Sequence, residues 1–435
     1  MEVIGPYSAI IAVSLIIIIS YFFNIISKKT NIPSVLMLIA LGIGLKQGMN
    51  MLNMSAGDQL FNLLEVLGIV GLIMIVLEAA LDLKLSSDKW SIIWKSFSLA
   101  LISLILTTLA SAWILHELLI EDFYAAIVYA VPLSIMSSAI IIPSVGGLSE
   151  YKREFMVYEG TFSDILGIMV FYFLLGNAEA ESGQTVAVNV LSNISITILL
   201  SLGISYGLVL IFQNMTSQVK LFMLIAVLLI LYSVGKLFHL SSLVIILVFG
   251  LVLNNYQIFF RGFMRKWIDK VKINEVLDDF HLVTIESAFV VRTFFFVLFG
   301  ISITLSSLYN LEVAVISLAL IGALYVIRFV MVKLFVQKDI FPQVFLSPRG
   351  LITILLFFAI PDEYKDESFD SGILLYVIII SCIIMALALV MSGKKVIPME
   401  EITFLYGNKE ESEKSIINHS TSTDEKAPDN PDSTE

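Results

Sequence analysis

Residues 155–176 read Phe-Met-Val-Tyr-Glu-Gly-Thr-Phe-Ser-Asp-Ile-Leu-Gly-Ile-Met-Val-Phe-Tyr-Phe-Leu-Leu-Gly. The stretch is long and apolar enough to cross a bilayer as a helix. Yet Asp164 stands near its centre, with Glu159 before it and Gly160 and Ser163 between them. An ionisable side chain at that depth costs roughly 2.5–3.5 kcal/mol even on the mildest insertion scales, so two in one helix need partners or a polar cavity. Such residues mark an ion or proton pathway.

Outward from this segment the pattern repeats. Hydrophobic residues make up 58% of the chain and charged residues 14%, and long apolar runs recur along nearly its whole length. That composition specifies an all-α polytopic membrane protein; the short alternating segments of a membrane β-barrel are missing. Thirteen transmembrane helices are expected, at 6–26, 33–46, 61–82, 92–115, 123–146, 155–176, 187–212, 219–236, 240–254, 280–303, 312–335, 342–361 and 372–393. The first follows Glu2 and precedes Lys28 and Lys29, so it reads as a retained span and not as a cleaved signal.

Charge in the connections sets the orientation, because cytoplasmic loops accumulate Lys and Arg. One set of alternate loops holds sixteen such residues, among them Lys84, Lys89, Lys152, Arg153, Arg261 and Arg265; the other holds Lys46, Lys236 and Lys365 alone. The N-terminus is therefore placed outside and the C-terminus in the cytoplasm. The transmembrane domain occupies 1–393. Residues 394–435 form a cytoplasmic acidic tail, too polar to offset its ordering entropy and expected to be disordered. Residues 256–279 mix basic, apolar and acidic side chains and read as an interfacial amphipathic linker helix.

Two spans carry helix breakers. Span five contains Pro132, the run Ser134 to Ser138, Pro143, Gly146 and Gly147; span twelve contains Ser347-Pro348-Arg349-Gly350. Proline removes a backbone donor and glycine frees the dihedrals, so both spans are expected to interrupt near mid-membrane, as in transporters. Their offset fits two inverted six-helix repeats joined by span seven.

At 100° per residue, Ser163 lies about 40° and Asp164 about 140° round the helix from Glu159, so the two acids look at different neighbours. Arg349 and Arg292 are the buried cations proposed for Glu159, leaving Asp164 to bind and release ions. Glu78 in span three is either a second oxygen ligand or an interfacial residue. Glu286 and Arg292 lie about 120° apart and should not pair. His239 and His281, at span ends, are expected to be solvated. The single cysteine, Cys382, excludes an internal disulfide and a cysteine-based metal site. Enzymatic chemistry finds no HExxH, paired-Asp or Ser-His arrangement at a plausible depth.

Taken together, Glu159-Gly160-Thr161-Phe162-Ser163-Asp164, Arg292-Thr293-Phe294-Phe295-Phe296 through Gly300, Pro348-Arg349-Gly350, and His239-Leu240-Ser241 through Gly250 resemble the monovalent cation/proton antiporters of the NhaP and sodium/proton exchanger type. The resemblance covers roughly residues 6–393. It implies that Asp164 carries cation and proton, that Ser163 replaces an Asn, that Glu159 and Arg349 form a buried ion pair, and that Glu78 helps bind the cation. It further implies a homodimer and an elevator-like movement. The chain departs from the family pattern where Ser137-Ser138-Ala139 stands in place of Thr-Asp-Pro and where Gly160 lacks a hydroxyl. The serine pair is similar to the potassium efflux branch.

The expected activity is exchange of a monovalent cation, sodium first and potassium second, for a proton. Asp164, Ser137, Ser138 and broken-helix carbonyls supply hard oxygen donors for an alkali ion, and one-for-one, electroneutral exchange follows from the missing second carboxylate. The alternatives are a K+/H+ antiporter, a cation channel or a non-transporting sensor. No cofactor and no nucleic-acid partner are expected, and a bacterial inner (cell) membrane is the expected location.

Overall fold

The computed structural model describes residues 6–30, 33–51, 70–71, 73–86, 88–176, 183–214, 220–237, 242–302, 309–337, 339–366 and 368–392. Its helices are α1 (Pro6–Thr30), α2 (Ser34–Met51), α3 (73–82), α4 (Trp90–Leu118), α5 (Phe123–Ser134), α6 (Ser138–Ser144), α7 (Glu150–Gly176) and α8 (Gly183–Gln213). They continue with α9 (Lys220–Leu237), α10 (Ser242–Asn254), α11 (Tyr256–Phe259), α12 (Lys270–Ser302), α13 (Leu311–Val336), α14 (Leu351–Phe358) and α15 (Gly372–Met391). Each of the thirteen expected spans contains a helix, and nine helices among the described residues are long and apolar enough to cross a membrane unaided. His239 and the tail at 394–435 lie outside the described residues.

The helices sort into two packed sets. In one, α4 packs on α5, α7 and α13, while α14 lies on α5 and α7 and α15 on α13. In the other, α12 packs on α1, α2, α8 and α9, and α10 packs on α8 and α9. Helix α3 belongs to the second set: Gly250 of α10 lies so close that an added Cβ would come within 2.6 Å of Ala80. Contacts of α10 with α7 and of α12 with α14 join the two sets.

Lipid tails are as apolar as leucine, so close backbone approach through small residues drives helix association in a membrane. Gly42 of α2 and Gly300 of α12 provide it; a Cβ on Gly300 would sit 2.4 Å from the Ile39 carbonyl and 2.9 Å from the Gly42 Cα. Gly300→Ala is expected to push α2 from α12 and cost about 1–3 kcal/mol, as overpacking does. Thermal unfolding in detergent measures it, and a melting temperature equal to the parent's would refute the contact.

Both breaker-containing spans are interrupted. Helix α5 starts at an Asp122 cap whose carboxylate accepts from the Tyr124 and Ala125 amides, at 3.2 and 3.0 Å, and it ends two residues past Pro132. Ile135 and Ser137 are extended before α6 begins. Span twelve is a 3₁₀ turn at Gln343–Phe345, a non-helical stretch at 346–350 and the eight-residue α14. The linker at 256–279 departs from its expected single helix. Gly262, at φ 62°, turns the chain after α11, a 3₁₀ turn covers Gly262–Trp267, and α12 has already begun at Lys270. A left-handed glycine ends a helix where an amphipathic pattern alone does not.

One further connection links the two sets. Residues 83–86 between α3 and α4 are non-helical, and their backbone is gripped from both sets. The Asn255 amide accepts from the Leu85 N–H at 2.6 Å and donates to the Leu83 carbonyl at 2.8 Å. Tyr158 of α7 donates its hydroxyl to the Lys84 carbonyl at 2.8 Å.

Candidate ion-binding site

Each interruption leaves backbone groups that a bilayer cannot solvate, so they must find partners inside the protein. Three successive amides at the α5–α6 break do. The Met136 N–H donates to Ser163 Oγ at 2.9 Å, the Ser137 N–H to the Pro348 carbonyl at 2.9 Å, and the Ser138 N–H to Asp164 Oδ2 at 3.1 Å. The middle bond ties the two broken spans together. Gly350 sits at this crossing because nothing larger fits: an added Cβ would lie 2.8 Å from Ser137 Oγ and 2.7 Å from Ile140 Cδ1.

Charges compensate the exposed helix ends. The last carbonyls of α5 carry the negative end of its dipole. Arg349 covers them, donating to the Leu133 carbonyl at 2.9 Å and the Ser134 carbonyl at 3.1 Å, as well as to the Ser347 carbonyl at 2.8 Å. At the opposite pole, Asp164 meets the first amide of α6, where a negative charge is favoured.

Asp164 is 1% exposed. Its Oδ1 has no hydrogen-bond partner, and no cation pairs with it among the described residues. It borders a cavity about large enough for one water molecule, between α7 and Ile352 on one side and Ile75, Val76, Leu243 and Val244 on the other. The cavity thus lies where the two helix sets meet.

Glu159 turns away from Asp164, as the helical geometry requires, and its partner corrects the sequence expectation. It is bound through both oxygens by Arg328 of α13, at 2.6 and 3.3 Å, and neither Arg349 nor Arg292 reaches it. Arg328 also donates to the Val344 and Gln343 carbonyls, at 3.1 and 2.9 Å, so the pair fastens α7 to α13 and to the start of span twelve. Arg349 is fully engaged with backbone carbonyls and Ser347, which explains why it leaves Glu159 to another cation.

Arg292 of α12 faces Glu78 of α3 instead, through one contact of 3.3 Å, while its Nε donates to the Ala288 carbonyl of its own helix. One turn further along α3, Asp82 Oδ1 lies 2.8 Å from His281 Nε2. His281 is therefore paired as well as partly solvated. Of the expected ion-binding residues, Asp164, Ser163, Ser137 and Ser138 converge at the crossing, and Glu78 stands on the neighbouring α3 with a counter-charge of its own.

A profile of the sodium/hydrogen exchanger transmembrane family matches residues 12–393. Among solved structures, the fold is similar to that of the sodium proton antiporter MjNhaP1 from Methanocaldococcus jannaschii at pH 8. The TM-score is 0.66 at 20% sequence identity, over 88% of this chain and 95% of that one. An electron-microscopy structure of the same antiporter gives a TM-score of 0.64 at 18% identity, covering 89% and 95%. No curated protein sequence matches. Because the family profile spans every membrane helix but the start of the first, the chain belongs to the sodium/hydrogen exchanger family.

Proposed function

We propose that this protein exchanges one Na+ for one H+ at Asp164, as a homodimer in a bacterial inner membrane, with K+ the second choice of ion. Membership of the sodium/hydrogen exchanger family supports monovalent cation/proton antiport. The observation that carries the residue assignment is the buried Asp164, with one oxygen held by the Ser138 amide and the other without a partner.

A carboxylate out of water disfavours its charged form, so a proton and a cation compete for the same oxygens. Binding the cation releases the proton, and binding the proton releases the cation. Alternating access of two singly loaded forms then gives coupled exchange, provided the empty form crosses poorly. Ser138 leaves the crossing without a second acid, and Glu159 is committed to Arg328. With one titrating group, each turnover moves no net charge.

The rate of sodium-driven proton flux should therefore not respond to an imposed membrane potential, and a higher proton concentration should raise the half-saturating concentration of cation. Proteoliposomes given a pH gradient and then Na+, Li+ or K+ in turn establish which ions are carried. If K+ proves not to be carried, clamping the potential with valinomycin and potassium tests the stoichiometry. Acceleration or slowing with voltage would sink the one-for-one scheme and implicate a second group, Glu78 first.

A further inference from the structure

Helix α7 turns one stripe of side chains toward the cavity. Taking Asp164 as the reference and 100° per residue, Ile168 lies about 40° round the helix and Ile165 about 100°; all three line the cavity. Thr161 falls between them at about 60°, and so continues the same stripe one turn toward the cytoplasm. It is 0% exposed, and its hydroxyl has no hydrogen-bond partner.

Among the described residues the buried hydroxyls of Ser86, Ser103, Thr108, Ser137 and Thr353 also lack a partner, but that of Thr161 is the one on the same helix as Asp164. A hydroxyl within a helix ordinarily bonds back to a carbonyl three or four residues earlier. Thr107, Ser134, Thr284 and Ser317 all do so here. Leaving a buried hydroxyl unmade is destabilising, and one turn from it stands a second orphan, Asp164 Oδ1. Gly160, having no side chain, offers no hydroxyl to the site, and a Cβ there would lie 3.3 Å from the Ser138 Cα.

An anionic oxygen and a neutral hydroxyl on one stripe, both buried and both unmatched, form a donor set suited to a hard monovalent cation. We propose that Thr161 Oγ1 is a direct ligand of the transported cation beside Asp164 and sets the affinity for it. This rests on Asp164 being the carrier.

The test uses the full-length chain with Thr161→Val, which keeps the shape and removes the hydroxyl, and Thr161→Ser, which restores it. In proteoliposomes at fixed pH, Thr161→Val should raise the half-saturating Na+ concentration about tenfold, the loss expected for one hydrogen-bonding group facing a charge. The maximal rate should stay within about twofold, and Thr161→Ser should recover most of the affinity. In detergent without alkali ions, Thr161→Val should melt no lower than the parent, because nothing bonded has been removed; the stabilisation that added Na+ confers should shrink.

Two results would overturn the assignment. An unchanged half-saturating concentration would mean that the hydroxyl meets only water. A lower cation-free melting temperature with an undiminished Na+ response would mean a structural role. Failure of the underlying reading shows elsewhere, as normal exchange by Asp164→Asn.

Discussion

Asp164→Asn is expected to abolish cation-dependent proton flux in proteoliposomes while the protein extracts, elutes and melts like its parent. The substitution retains an oxygen for the Ser138 amide, which donates to Asp164 across 3.1 Å, so the α5–α6 break keeps its cap. It removes the one property that exchange requires, an oxygen pair that a proton and a cation occupy in turn. Because no cation pairs with Asp164 among the described residues, neutralising it strands no counter-charge. Flux indistinguishable from the parent would take Asp164 out of the mechanism. Flux lost together with the fold would point instead to a structural role for the carboxylate.

Arg328→Ala should do the reverse, reducing stability far more than Asp164→Asn. Its guanidinium and the Glu159 carboxylate are nearly sealed from solvent, with side-chain exposures of 6% and 2%. Removing one partner of such a pair leaves the other charge buried and uncompensated, at a cost of about 3–5 kcal/mol. The Val344 and Gln343 carbonyls lose their donor at the same time. Glu159→Gln in the Arg328→Ala background should recover part of the loss, since the stranded carboxylate is then gone. Thermal unfolding of all variants in one detergent decides it: if Arg328→Ala melts with Asp164→Asn, the pair does not fasten α7 to α13.

Much of this was legible in the sequence, because a bilayer imposes strict rules. Apolar length located the spans, and Pro132 and Gly350 located the interruptions. The divergence of Glu159 and Asp164 followed from helical geometry alone. Arg328 shows where the reading stopped short: it lies in the apolar run 312–335, and the rule that drew notice to Asp164 applied to it equally. Choosing among Arg292, Arg328 and Arg349 needed the packing of α13 on α4 and the carbonyls that claim Arg349. The pairing of His281 with Asp82 spans 199 residues of sequence, and no local pattern encodes it. The linker helix misled for a different reason, since its amphipathic composition is shared by two short turns and the start of α12.

The strap at residues 83–86 turns this static picture into a mechanical one. It is one of three places, with α7–α8 and α12–α13, where the chain passes between the helix set that holds Asp164 and the set that α3 belongs to. From the end of α3 to the start of α4, seven residues can reach at most roughly 25 Å when drawn straight, so this connection caps how far the two helix ends can separate. Its backbone is hooked by Tyr158 on one side and Asn255 on the other, so the sets cannot part there with both hooks still engaged. Any separation of the two sets at this corner would therefore break either the Tyr158 bond or the Asn255 bonds.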